Sequence, residues 1–113
     1  LSSDEIDLLC AAAQAIVARD RFRLAEMKRV DPRTDDAFWY QVNAFGNRTF
    51  ITPSTDDVRN ADVFRFSDGR GYAVDVYVRV KGAKKTEFSG MTIAFEVIRN
   101  MSPSRVGVAG IEW

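Results

Sequence analysis

The chain has no histidine and a single cysteine, Cys10, among its 113 residues. Without histidine, the commonest general base and metal ligand near neutral pH is missing. Ser-His-Asp and Cys-His catalytic arrangements are excluded, as are the usual zinc sites. One cysteine cannot form an internal disulfide, so cysteine usage assigns no compartment. Neither sign of charge is in excess, with 16 Lys and Arg against 16 Asp and Glu. A nucleic-acid surface normally shows as a basic excess or stripe. No apolar run approaches the roughly 18 residues of a membrane helix, and no signal peptide stands in the stretch. A glycine-rich phosphate loop is also missing: Asp68-Gly69-Arg70-Gly71 lies between two strand-like segments and precedes no helix. The expectation is a protein with no cofactor, no metal, no nucleic-acid partner and no membrane span.

What is present suits one folded domain over residues 1–113, with 46% hydrophobic residues to build a core and 28% charged residues to cover it. The chain begins at Leu1 rather than Met, which reads either as a trimmed piece or as a mature secreted or periplasmic form with an upstream signal or anchor removed, and leaves the localisation open.

The strongest pattern is Tyr72-Ala-Val-Asp-Val-Tyr-Val-Arg-Val-Lys81. Tyr72, Val74, Val76, Val78 and Val80 share one side of an extended strand, and Ala73, Asp75, Tyr77, Arg79 and Lys81 share the other. This predicts a central strand with one buried face. Upstream, Ser2 with Glu5 forms a capping-box pattern, with Leu1 and Ile6 as its hydrophobic staple. Ile6, Leu9, Cys10, Ala13, Ile16 and Val17 follow helical spacing, which predicts a helix over residues 3–19.

Residues 21–30 read as strand from the alternation of Phe22 and Leu24, although Ala25 to Lys28 would also continue a helix. Residues 31–36 read as a turn around Pro32. Residues 37–45 read as a strand, with Phe38, Tyr40, Val42 and Ala44 on one side and Trp39, Gln41, Asn43 and Phe45 on the other. Gly46-Asn47 reads as a turn, and residues 52–62 as the longest polar connection. Residues 63–66 form a short apolar segment, followed by a hairpin signal at residues 67–71. A turn at residues 82–85, a long strand over 87–100 and a last strand over 105–113 complete the pattern. The turn's Lys84 and Lys85, with Lys81, read as a solvated group that blocks edge aggregation.

The fold class is therefore α+β: one N-terminal helix packed on a curled antiparallel sheet of four to six strands. Helix first, then a meander of long hairpins, resembles the cystatin-like and ketosteroid-isomerase-like group of folds in order of elements, through the whole chain. The resemblance implies a cystatin-like roll. It does not extend to the family motifs. Cystatins carry Gln-x-Val-x-Gly in the first hairpin loop and a later Pro-Trp pair, whereas the nearest loop here is Asp31-Pro32-Arg33-Thr34-Asp35-Asp36, and Pro103 precedes Ser104. The isomerase-like enzymes carry more helices before the sheet and often an Asp or His in a cone-shaped pocket.

Two functional readings follow. In the first, the domain is a non-catalytic binding or assembly module whose outer sheet face carries Trp39, Gln41, Asn43, Phe45, Asp75, Tyr77, Arg79 and Glu96. Aromatic and arginine anchors among polar residues have the composition of a protein interface, a second copy of the chain being the simplest partner. In the second, the chain is a small enzyme or ligand carrier with a pocket between helix and sheet, walled by Ile16, Phe22, Phe38, Tyr40, Phe64, Phe66 and Phe95. Within the second reading, Asp75 and Glu96, with Tyr77 and Arg79 near, would be the acid-base candidates. Cys10, beside Leu9 and Ala13 in the helical stripe, reads as a small core hydrophobe.

Overall fold

A computed structural model describes residues 1–32, 35–44, 49–81 and 90–112. Helix α1 spans Ser3–Val17. Its capping box is formed: the Ser2 amide donates to Glu5 Oε1 at 2.8 Å, and the Glu5 amide donates to Ser2 Oγ at 3.2 Å. Its buried stripe runs through Glu5, Leu9, Ala12, Ala13 and Ile16.

The sheet has five strands in the order β1-β5-β4-β3-β2, with β1 Val30–Asp31, β2 Asp62–Arg65, β3 Gly71–Arg79, β4 Gly90–Ile98 and β5 Arg105–Glu112. The three long strands and β2 pair antiparallel. Strand β1 pairs parallel with β5, so the sheet is mixed rather than antiparallel throughout. A bulge between Ala94 and Phe95 kinks the β4–β5 ladder.

Three segments depart from the sequence expectation. The strand expected over residues 21–30 is instead helix α2, Arg21–Glu26, followed by the two-residue β1. Asp20 supplies the cause, since its side chain accepts from the Arg23 amide at 3.0 Å and caps the helix. The strand expected over residues 37–45 is helix α3, Asp36–Asn43. Asp35 caps it through the Phe38 amide at 3.1 Å. Phe38, Trp39 and Val42 then fall on one helical face and all enter the core. A strand would have sent Phe38 and Trp39 to opposite sides. Within the polar connection, Ser54 and Asp57 form a second capping box that starts helix α4, Thr55–Arg59.

Strand alternation divides the sheet into two unlike faces. Val74, Val76 and Val78 of β3 and Met91, Ile93, Phe95 and Val97 of β4 are fully buried. Helix α1 lies against β4 and β5, α4 against β3 and α3 against β5, so the helices cover this inner face. The alternate residues, from Ala73 to Arg79 and from Thr92 to Ile98, are half-buried or exposed. One covered and one open face is the ordinary arrangement of an antiparallel sheet. No described helix is long and apolar enough to cross a membrane.

Candidate functional site

The open face is assembled by strand register. Asp62, Asp75, Ala94 and Gly110 form one row across it; Phe64, Ala73, Glu96 and Gly107 form the next; and Tyr77 stands beside Thr92 and Glu112. Ile98 lies opposite Arg105. Phe64 and Tyr77 project furthest, at 56% and 48% exposure. Tyr77 leans across to β4, where a Cβ built on Gly90 would stand 2.8 Å from its hydroxyl. The Gly90 site therefore leaves room for the tyrosine ring.

Five carboxylates border this surface (Asp31, Asp62, Asp75, Glu96 and Glu112) against three cations, Arg79, Lys81 and Arg105. Arg105 is engaged by Asp31, which raises the arginine's pKa. The face is thus net negative, unlike the neutral chain as a whole.

An open cleft of about 200 Å³ lies at its margin, lined by Asp57, Asn60, Ala61, Asp62, Asp75, Tyr77 and Arg79. Its floor is a gap in the sheet edge. The Asp75 position pairs with Asp62, and further along the Arg79 carbonyl accepts from the Ile51 amide at 2.8 Å. Between them, on the side away from β4, no described strand stands opposite Tyr77, because β2 begins only at Asp62, after α4. By the alternation of an antiparallel ladder, the Tyr77 N–H and C=O point into this gap. Among the described residues, neither has a hydrogen-bond partner.

The expected interface residues divide accordingly. Asp75, Tyr77, Arg79 and Glu96 stand together on the outer sheet face, with Asp75 and Glu96 as diagonal neighbours across β3 and β4. Trp39 does not join them. It is buried at 3% exposure, edge-on to Phe38 with ring centroids 5.2 Å apart. Gln41 and Asn43 are exposed on α3, away from the sheet face. Phe45, the turn at Gly46-Asn47 and the Lys84-Lys85 turn lie outside the described residues.

The expected pocket walls do not converge. Phe38 and Phe95 fill the core, while Phe22 at 83% and Tyr40 at 76% exposure face solvent. Phe64 is on the open face, and Phe66 is half-buried beneath the Arg70 guanidinium, 4.2 Å from its ring centroid. A separate open groove of about 410 Å³ lies at the end of α1, lined by residues including Arg19, Arg23 and Phe50. Its Gln14 is committed to the Pro53 carbonyl at 3.0 Å. Cys10 is buried, with its thiol pKa pushed up by burial and by Asp7 and Asp57, the opposite of a reactive thiolate.

One polar cluster escaped the sequence reading. Glu5, 2% exposed, is gripped by Arg99, whose Nε donates to Oε2 at 2.9 Å and whose Nη2 reaches Oε1. Arg99 also covers the Tyr72 ring at 4.6 Å. The Arg99 hydrogen bond outweighs burial and holds the Glu5 pKa at about 2. Nearby, Arg29 ties Asp4 to the Ser104 carbonyl. The signal was available, since Glu5 lies four residues before Leu9 on the buried stripe. Both Glu5 oxygens are bonded to their neighbours, so the cluster fastens α1 to the sheet and presents no open chemistry. No group of acidic or cysteine side chains able to hold a metal ion occurs among the described residues.

Comparison with known proteins adds no relative: no family model, no curated protein and no solved structure matches this chain.

Proposed function

We propose that this protein is a non-catalytic binding or assembly domain whose open sheet face docks on a protein partner. One observation carries the reading: Phe64 and Tyr77 stand exposed among the half-buried Ala73, Ala94, Thr92 and Ile98 and the charged Asp62, Asp75, Arg79 and Glu96, and no described helix covers the surface. Large side chains ringed by polar groups are the usual anchors of a protein contact. A helix packed on one face of the sheet keeps the cystatin-like and ketosteroid-isomerase-like grouping as the proposed one, although four helices stand where that element order has one.

The charge of the face narrows the partner. Five carboxylates against three cations favour a surface that brings lysine or arginine. The cleft at Tyr77 offers acceptors of matching kind, the Asp62 and Asp75 carboxylates and the Tyr77 carbonyl, which has no partner among the described residues. A basic side chain entering there would find both charge and directed hydrogen bonds. Stacking two copies face to face would instead oppose like charges.

The test is retention from a source-cell extract on the immobilised protein. Proteins held by the wild type should be released by Tyr77→Lys, which places a positive charge at the anchor, and by rising salt. They should remain bound to Tyr40→Ala, a change on exposed α3. Retention that is indifferent to Tyr77→Lys would remove the open face from the account.

A further inference from the structure

Strand β2 is an edge strand, paired with β3 on one side only. The direction of its backbone groups follows from the hairpin. The Phe66 amide donates to the Gly71 carbonyl at 3.0 Å, which makes positions 66 and 71 a hydrogen-bonded pair. Such pairs alternate in an antiparallel ladder. Phe64 with Ala73, and Asp62 with Asp75, therefore also exchange hydrogen bonds, and the N–H and C=O groups of Val63 and Arg65 point away from the sheet. None of these outward groups has a hydrogen-bond partner among the described residues. All four residues of β2 are exposed, Val63 at 42% and Phe64 at 56%.

Proteins blunt such an edge by keeping it short or by adding charge, proline, lysine, a bulge or a covering segment, and β2 has only its shortness and the end charges Asp62 and Arg65. Asp62-Val63-Phe64-Arg65 contains no proline, lysine or glycine, its ladder to β3 is unbroken, and its two charges have opposite sign. This rim matches the chemistry of another extended backbone.

We infer that β2 pairs antiparallel with β2 of a second copy of this chain, about a two-fold axis at Phe64, joining two sheets into one. Register selects the occupant. With Phe64 opposite its own counterpart, Val63 of each copy faces Arg65 of the other, and every outward N–H and C=O of both residues is used. Centring on Arg65 would oppose two like charges. Centring on Val63 would require Ala61 as a partner, and the Ala61 amide is already bound to the Val58 carbonyl at 3.1 Å. The Phe64-centred register also brings the two phenylalanines together at a non-hydrogen-bonded position, where side chains approach most closely. The contact is isologous, as a two-fold requires. It sets the two negative faces side by side in one plane rather than against each other. So short a strand buries less than the roughly 1,200–2,000 Å² of a stable interface, so the association is concentration-dependent.

This contact uses the rim of the sheet rather than its face, so either assignment can fail alone. Sedimentation equilibrium over a wide concentration range tests it. The wild type should move from monomer to dimer. Val63→Pro removes an outward N–H and none that bonds β3, so it should stay monomeric with unchanged far-UV circular dichroism. If Val63→Pro fails to fold, Phe64→Glu decides by placing two like charges on the axis without touching the backbone. Tyr77→Lys should dimerise as the wild type does. A wild type that remains monomeric at every concentration would overturn the inference. So would folded edge variants that associate unchanged, or a dimer lost only with Tyr77→Lys.

Discussion

Arg99, just past the end of β4, closes on Glu5, in the first turn of α1, through two of its nitrogens. The pair joins the two ends of the chain's order: the helix that starts the fold and the hairpin that nearly ends it.

The pH dependence of stability should carry the mark of this pair. Folding lowers the Glu5 pKa from 4.5 to about 2. The unfolded state binds a proton in that window and the native state does not, so stability is fully present above about pH 5 and is lost as pH falls toward 2. The shift corresponds to something on the order of 3 kcal/mol. Glu5→Gln should cost about 2–3 kcal/mol at pH 7, because it leaves a guanidinium without its counter-charge. It should also flatten the acid limb. Urea titrations of both proteins at pH 7, 4 and 3 provide the check.

Adjacent aromatics of α3 should behave oppositely. Trp39, 3% exposed against Phe38, should lose about 3–5 kcal/mol on replacement by alanine. Tyr40, 76% exposed, should change stability by less than about 0.5 kcal/mol. Thermal or urea unfolding of Trp39→Ala and Tyr40→Ala measures the contrast. A strand at this position would bury Tyr40 and expose Trp39, giving the reverse order.

Two sheet glycines should also differ. At Gly90 a Cβ would run into the Val78 carbonyl oxygen and meet the Tyr77 ring, so Gly90→Ala should cost about 1–3 kcal/mol and displace the tyrosine from the open face. At Gly107 nothing lies within 4 Å of the added carbon, and Gly107→Ala should be neutral or stabilising by up to about 1 kcal/mol. Unfolding curves and the tyrosine fluorescence of both variants report the two effects.

The long elements were legible in the chain because their periodicity is sustained. Val74 to Val80 and Met91 to Val97 hold a period of two for several residues, and α1 carries a capping box and a full apolar stripe. The short elements were not. Residues 38–42 satisfy both periods: Phe38, Tyr40 and Val42 alternate, while Phe38, Trp39 and Val42 share a helical face. The Asp35 cap and the space available to two adjacent rings in the core decided for the helix. The same ambiguity hid α2, where Leu24 alone is buried. The site shared this division. Asp75, Tyr77, Arg79 and Glu96 lie on long strands, where alternation alone puts them on the open face. Alternation puts Trp39, Gln41 and Asn43 on that face only if residues 37–45 form a strand, and Asp36–Asn43 is a helix. The cleft at Tyr77 depends on where α4 ends and β2 begins, which no local pattern encodes. The grip of Arg99 on Glu5 spans nearly the whole chain and is likewise invisible to local spacing.

Hydroxyl-radical footprinting is the most direct probe of the open face as a contact surface, applied to the protein alone and to a complex retained from its source extract. Alone, Tyr77 and Tyr40 should oxidise readily while Trp39 and Met91 are protected. In the complex, Tyr77 should become protected and Tyr40 should not. Oxidation of Tyr77 that is unchanged by the bound partner would contradict the account.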